Sequence, residues 1–163
     1  MGHHRRVPSF PLSGPPVPDG SDASEACPGC GAVLAVLPDV AAGHPGASVS
    51  CARLFEVTVR GLREEAEADP AAAPVVVLAD AAYDAQHPVA ADPARLETAL
   101  GQLATSLRTR PTVGADLADA PPRVWRTTIA DAAADLDVID LRVLVESWAR
   151  AVQEDWARVV HEH

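Results

Sequence analysis

The sequence predicts a mainly α-helical domain built like a four-helix bundle, and three observations carry that prediction. Apolar residues recur at three- and four-residue steps in four separate windows, which is the period of a helix packed on one face. Those windows are separated by Asp-Pro, His-Pro and Arg-Pro junctions that a helix does not cross easily. Nearly half the residues are apolar, yet only Phe10, Phe55, Tyr83, Trp125, Trp148 and Trp156 are aromatic, so Leu, Val and Ala must fill the core. Such side chains suit close-packed helices better than stacked sheets. The length of 163 residues suits one domain.

Residues 1–26 are rich in Pro, Ser, Gly and Asp with few apolar anchors, and are expected to form a disordered arm. The single folded domain then spans 27–163, beginning with a knuckle segment over 27–47. That segment holds the Cys27-Pro-Gly-Cys30-Gly31 turn, the short apolar run Val33 to Leu37, and a loop containing His44. A helix is expected over about 48–69, with Cys51, Phe55, Val59, Leu62 and Ala66 on its inner face and a Glu56–Arg60 pair on its outer one. Asp69-Pro70 stops it.

The second helix, about 72–87, has an ambiguous start, because Val75-Val76-Val77-Leu78 would also suit a strand. Pro74 is tolerated in a first helical turn, and the Ala-rich stretch to Gln86 favours a helix that ends at His87 before Pro88. Asp92-Pro93 opens the third, about 93–109, with Leu96, Ala99, Leu100, Leu103, Ala104 and Leu107 inward. Residues 111–127 read as a Pro-rich loop. After it, either a short helix opens at Thr128 and runs through Ala134, or Trp125 to Ile129 are extended. The last helix, about 138–161, is capped by Asp137 or Asp140 and carries Leu141, Val145, Trp148, Val152, Trp156 and Val159 as its stripe. Glu146–Arg150 and Glu154–Arg158 sit on its wet face, and core packing accounts for Trp148 and Trp156.

Charge narrows the partners. All thirteen basic side chains are Arg, and they are dispersed against a net charge of −10, so nucleic acid and anionic membranes are not expected partners. No stretch approaches the roughly eighteen apolar residues of a membrane span. Prolines 8, 11, 15, 16 and 18 break any signal-peptide core, which places the chain in the cytoplasm by expectation. An odd number of cysteines, two at C-x-x-C spacing, fits a metal site in a reducing compartment better than a disulfide framework.

Two thiolates in a C-x-x-C turn can grip one tetrahedral metal, since the turn aims both sulfurs inward. Pro28 and Gly29 favour that turn, and Gly31 lets backbone N–H groups approach the sulfurs. A second such pair is missing, so two more ligands must come from Cys51, His44 and His87. Helical rise selects among them. Cys51 lies eighteen residues before Asp69 and His87 seventeen after Pro70, so at about 1.5 Å per residue an antiparallel hairpin brings both to one end. The expected set is Cys27, Cys30, Cys51 and His87, with His44 as the alternative fourth ligand and Zn2+ as the occupant.

These motifs resemble a known family. Cys27-Pro-Gly-Cys30-Gly31, a Cys opening a helix, Ala82-Tyr83-Asp-Ala-Gln86-His87-Pro88 and Trp148-Ala149-Arg150-Ala-Val152-x-x-x-Trp156 are similar, in that order over about 27–157, to domain of unknown function 5946. The resemblance implies no activity, because that family is uncharacterised. It also shows departures. Val76 and Ala81 stand where the family typically has His and Asp, and Gln102 stands where a further His is expected. Histidines from several helices could build a second, open metal site, and this chain lacks those residues.

Two functions follow as expectations. One is a zinc-stapled, non-catalytic domain that binds another protein or a small molecule. The other is a metal-dependent enzyme with an open zinc position at one end of the bundle, leaving His44, His87 or Asp84 beside water or substrate. A redox dithiol is disfavoured because Gly31 and the apolar run after it make a poor helix start. Covalent haem attachment fails because Gly31, not His, follows Cys30. Neither a GxGxxG loop nor a phosphate-binding P-loop motif occurs.

Overall fold

The computed structural model describes residues 23–38, 41, 43–112 and 117–161. Most of the stretch expected to form an arm, residues 1–22, lies outside these. Its last residues do not behave as an arm. Ser24–Ala26 (β1) pairs antiparallel with Val33–Ala35 (β2), with Glu25 opposite Leu34. Local composition gives Ser24–Ala26 no strand signal, and pairing across the cysteine turn supplies one. The turn closes on itself through Cys27 N–H to Ala32 O and Gly31 N–H to Cys27 O, each 2.9 Å. Gly31 sits there at φ +75°, a left-handed conformation that glycine adopts without a Cβ penalty.

Helix α1 (Val49–Ala68) begins on Ser48, whose side chain accepts from the Cys51 N–H. Helix α2 (Ala73–Gln86) follows a short turn and keeps its Val75-Val76-Val77 run helical despite the β-branched side chains. Burial of Leu78, Ala79, Ala81, Ala82, Tyr83 and Ala85 explains why, since tertiary packing of one face outweighs local propensity. Helix α3 (Pro93–Leu107) starts on the Asp92 cap and ends at Arg108, a residue with φ 55°. Helix α4 (Ile129–Ala134) resolves the open choice in favour of a helix, because Thr128 and Asp131 form a reciprocal capping box. Helix α5 (Leu141–His161) starts where Asp140 accepts from the Arg142 N–H.

The central element is α2, with α1, α3 and α5 packed against it, while α4 touches both α1 and α5. Small side chains let neighbours approach α2 on several sides. Phe55, Val59, Leu100, Leu103, Trp148, Val152 and Trp156 join it in one continuous core. Two expected surface pairs are replaced by others. Glu56 lies 3.8 Å from Arg63 rather than pairing with Arg60, and Glu154 meets Arg126 of the preceding loop rather than Arg158. Arg158 turns to Asp155 instead, while Glu146–Arg150 forms as expected. Only Arg126 comes from another element, whereas Glu56 and Arg158 take partners on their own helices at spacings other than four.

Candidate metal centre

Four side chains converge where the β1–β2 turn meets the α1–α2 hairpin. Cys27 and Cys30 come from the turn, Cys51 from the first turn of α1, and His87 from the C-cap of α2. One ligand atom from each lies within 4.8 Å of the other three. All are buried, with relative exposures of 3, 5, 0 and 0 %. Among the described residues no other group of three or more His, Cys, Asp or Glu side chains gathers this way.

The spacing suits one ion. A tetrahedral centre bonded to sulfur at about 2.3 Å and to nitrogen at about 2.0 Å spaces sulfurs about 3.8 Å apart and sulfur from nitrogen about 3.5 Å. Cys30 Sγ and Cys51 Sγ are 3.7 Å apart, and Cys51 Sγ is 3.4 Å from His87 Nε2. These residues could therefore hold a metal ion, as their donor chemistry also suggests.

His87 is oriented for that role by its own helix. Its Nδ1–H donates to the Tyr83 carbonyl at 2.7 Å, which fixes the ring orientation and turns Nε2 toward the sulfurs. The same bond satisfies a carbonyl that the end of α2 would otherwise leave open. Capping and ligation are thus compatible uses of one imidazole. His44 behaves differently and does not join the group. Its Nδ1 accepts from the Gly46 N–H at 3.0 Å and its Nε2–H donates to Asp84 Oδ1 at 3.0 Å, so neither nitrogen has a lone pair to offer. The alternative fourth ligand, His44, therefore stands outside the group of four. Its position seven residues before Cys51 brought it close, but the Gly46 turn and Asp84 engaged it first.

Electrostatics inside the cluster reflects crowded sulfur. Hydrogen bonds from Cys30 and Cys51, with His87 and the Cys30 backbone, outweigh burial and hold the Cys27 thiol far below its ordinary value, and the Ser48 N–H also donates to its sulfur at 3.4 Å. Cys27 and Cys30, through their bonds and charge, push Cys51 far above its own. One sulfur ionises readily and the next resists, which is the demand a divalent cation would relieve. Burial works against a charge on His87, but hydrogen bonds to Cys27 and Cys30 prevail and raise it to about 9. Burial, then the neighbouring Cys51 charge, pushes Tyr83 up as well. Tyr83 stays a neutral phenol whose O–H donates to Cys51 Sγ at 3.7 Å.

Residues that sequence reasoning passed over hold this arrangement in place. Trp125 Nε1–H donates to Gly29 O at 2.9 Å, pinning the cysteine turn from a loop ninety-six residues away. Arg126 beside it is tied to the buried Asp155 through its backbone N–H at 3.1 Å and its Nε at 2.8 Å. Trp156 Nε1–H reaches Ala85 O at 2.9 Å, and Trp148 Nε1–H reaches Gln86 Oε1 at 3.1 Å. Both tryptophans are core residues, as expected, and they also secure the end of α2 that presents His87. A Cβ on Gly29 would lie 2.5 Å from His87 Cδ2 and 2.7 Å from Gly46 O, so glycine is needed there for close approach. A lone Trp in a Pro-rich loop was the one visible sign of this support.

Fold and site together define a helical domain closed at one end by a group of three cysteines and a histidine. The chain matches the family of unknown function DUF5946 over residues 25–157, most of its length, and it belongs to that family. No curated protein and no solved structure matches it. The matched stretch begins within β1 and so includes the three cysteines and His87.

Proposed function

We propose that Cys27, Cys30, Cys51 and His87 hold one zinc ion in a closed structural site, and that the chain is a non-catalytic binding domain for a protein or small molecule. The observation that carries this reading is the buried, four-member protein ligand set. Catalytic zinc keeps one position for water or substrate, whereas structural zinc fills all four with side chains. Thiolate-rich tetrahedral sites favour zinc over the harder divalent ions. The metal would fasten the β1–β2 turn to the bundle, and its binding energy would become folding energy.

The enzyme alternative needs a free acid–base group beside the metal. His44 has both nitrogens engaged, and Tyr83 and Cys51 are held protonated or ligated by their surroundings. Three unpaired cysteines suit a reducing compartment such as the cytoplasm. No described helix is long and apolar enough to cross a membrane. The net charge of −10 disfavours nucleic acid as the partner.

Metal analysis of purified protein tests the proposal, with about one equivalent of zinc expected. Zinc below about a tenth of an equivalent, with iron also absent, would end it. Cobalt exchange tests the closed geometry. A tetrahedral thiolate spectrum that ignores added azide or cyanate is expected, and an anion-sensitive spectrum would return the enzyme reading.

A further inference from the structure

A cavity of about 620 Å³ lies where α1, α2 and the start of α3 meet the His44 loop. That size falls in the range of roughly 300–1,000 Å³ typical of small-molecule sites. Its apolar wall is aromatic. The Phe55 and Tyr83 rings stack there with centroids 4.0 Å apart and planes 9° from parallel, beside Val49 and Ala52. Six charged side chains also line it, three Arg and three acids.

The hydrogen-bond inventory of those charges is uneven. Asp80 is occupied by both Arg63 amino groups, at 3.1 and 2.7 Å. Asp84 Oδ1 already accepts from Arg95 and from His44, each at 3.0 Å. On the donor side, Arg53 is exposed and forms no ion pair with a described residue. Arg63 Nε is a buried donor with no partner, and Arg95 commits one amino group alone to Asp84. Asp80 and Asp84 are thus engaged by Arg63, Arg95 and His44, Glu56 lies 3.8 Å from Arg63, and Arg53 is the guanidinium at this rim left without an ion pair among the described residues.

We infer that this cavity binds a planar aromatic molecule carrying a carboxylate or an equivalent oxyanion, its ring on the Phe55–Tyr83 wall and its anion on the Arg53 guanidinium. Aromatic stacking and charge-assisted bonds from a planar guanidinium are complementary to that pair of features. The inference rests on the reading of the chain as a binding domain. It also links the ligand to the metal end, because Tyr83 both lines the cavity and donates to Cys51 Sγ.

Nitrogen-15 NMR on the full chain, with zinc content measured on the same sample, separates the two readings. Missing metal defeats the structural zinc site, whereas missing ligand defeats the cavity alone. The probes are 2-naphthoate, 2-naphthol and 2-naphthylmethylamine. Naphthoate is expected to cause saturable shifts at the amides of Ala52, Arg53, Tyr83 and Asp84, and to bind at least about tenfold more tightly than the other two. Arg53→Ala, an exposed change, should weaken it several-fold, Glu56→Gln should tighten it, and Val49→Trp should abolish it by filling the space. Equal affinity for the three probes, preference for the amine, no saturation at millimolar naphthoate, or shifts centred on exposed Leu136, Val138 and Val143 would each overturn the inference.

Discussion

The two ends of the α1–α2 hairpin are held by different physics. At the turn end the bonds are local, with Asp69 N–H to Glu65 O at 2.7 Å, Ala72 N–H to Asp69 O at 3.0 Å and Ala71 N–H to Asp69 Oδ1 at 2.9 Å. One long-range ion pair, Arg142–Glu65, crosses nearby, and both side chains are more than two-fifths exposed. At the other end nearly every fixing contact is long-range and buried. Cys51 meets His87 and Cys30, Trp125 reaches Gly29, and Trp156 reaches Ala85. The turn end could form from its own residues. The cluster end cannot exist until distant parts of the chain have arrived, and a metal ion is what would reward their arrival.

That contrast predicts a ranked set of effects. Cys51→Ser strikes the cluster at its centre and should lower the melting temperature by at least about 10 °C, an effect that chelation of the wild type reproduces. A change of less than about 2 °C would make the two ends energetically alike. Gly29→Ala comes next, since its Cβ clashes with His87 Cδ2 and with the Gly46 carbonyl. It should cost about 2–3 kcal/mol in a urea titration and speed zinc loss to a chromogenic chelator. Trp125→Phe keeps an aromatic ring but removes the N–H that holds Gly29 O. About 1 kcal/mol and a several-fold rise in zinc dissociation rate are expected.

Asp84 sharpens the comparison through pH. Burial raises its carboxyl, but hydrogen bonds from His44 and Arg95 prevail and hold it below its ordinary value of 3.8. A folded value below the unfolded one means that Asp84 contributes stability above about pH 3.8, and that this is lost as pH falls through the lower folded value. The gap in urea midpoint between wild type and Asp84→Asn should therefore narrow from pH 7 to pH 3. A gap that widens on acidification would contradict the assigned sign. Metal release at low pH affects both proteins alike, so their difference isolates the carboxylate.

The smallest effect belongs to the turn end. Arg142→Ala removes an exposed pair and should change stability by less than about 0.5 kcal/mol. A loss as large as that of Trp125→Phe would erase the distinction between the two ends.

Much of the helical plan was legible from spacing. Leu96, Leu100, Leu103 and Leu107 mark α3, and Val145, Trp148, Val152 and Trp156 mark α5, because helical period is a property of adjacent turns. The caps at Ser48, Asp92 and Thr128 were within one residue of where sequence placed the helix starts, since capping is decided over three or four residues. Strand β1 was not legible, because Ser24–Ala26 becomes a strand by pairing with Val33–Ala35 and not through its own side chains. The partners of Glu56, Glu154 and Arg158 were misassigned too. Glu154 meets Arg126 from a loop distant in sequence, while Glu56 and Arg158 take partners on their own helices at seven- and three-residue spacing in place of four.

The sequence by itself determined that a tight C-x-x-C turn precedes an α-helical hairpin, and that equal helical lengths bring Cys51 and His87 to the same end of it. Rise per residue and turn chemistry are local quantities, so a one-dimensional reading suffices. Only the tertiary structure set the two imidazoles apart, placing His87 among the sulfurs and His44 outside them. His87 faces the sulfurs because Tyr83 O and the tryptophans of α5 fix the end of α2, whereas His44 is consumed by Gly46 and Asp84. Orientation of a side chain at a site depends on every element that packs around it, and that is settled only when the chain has folded.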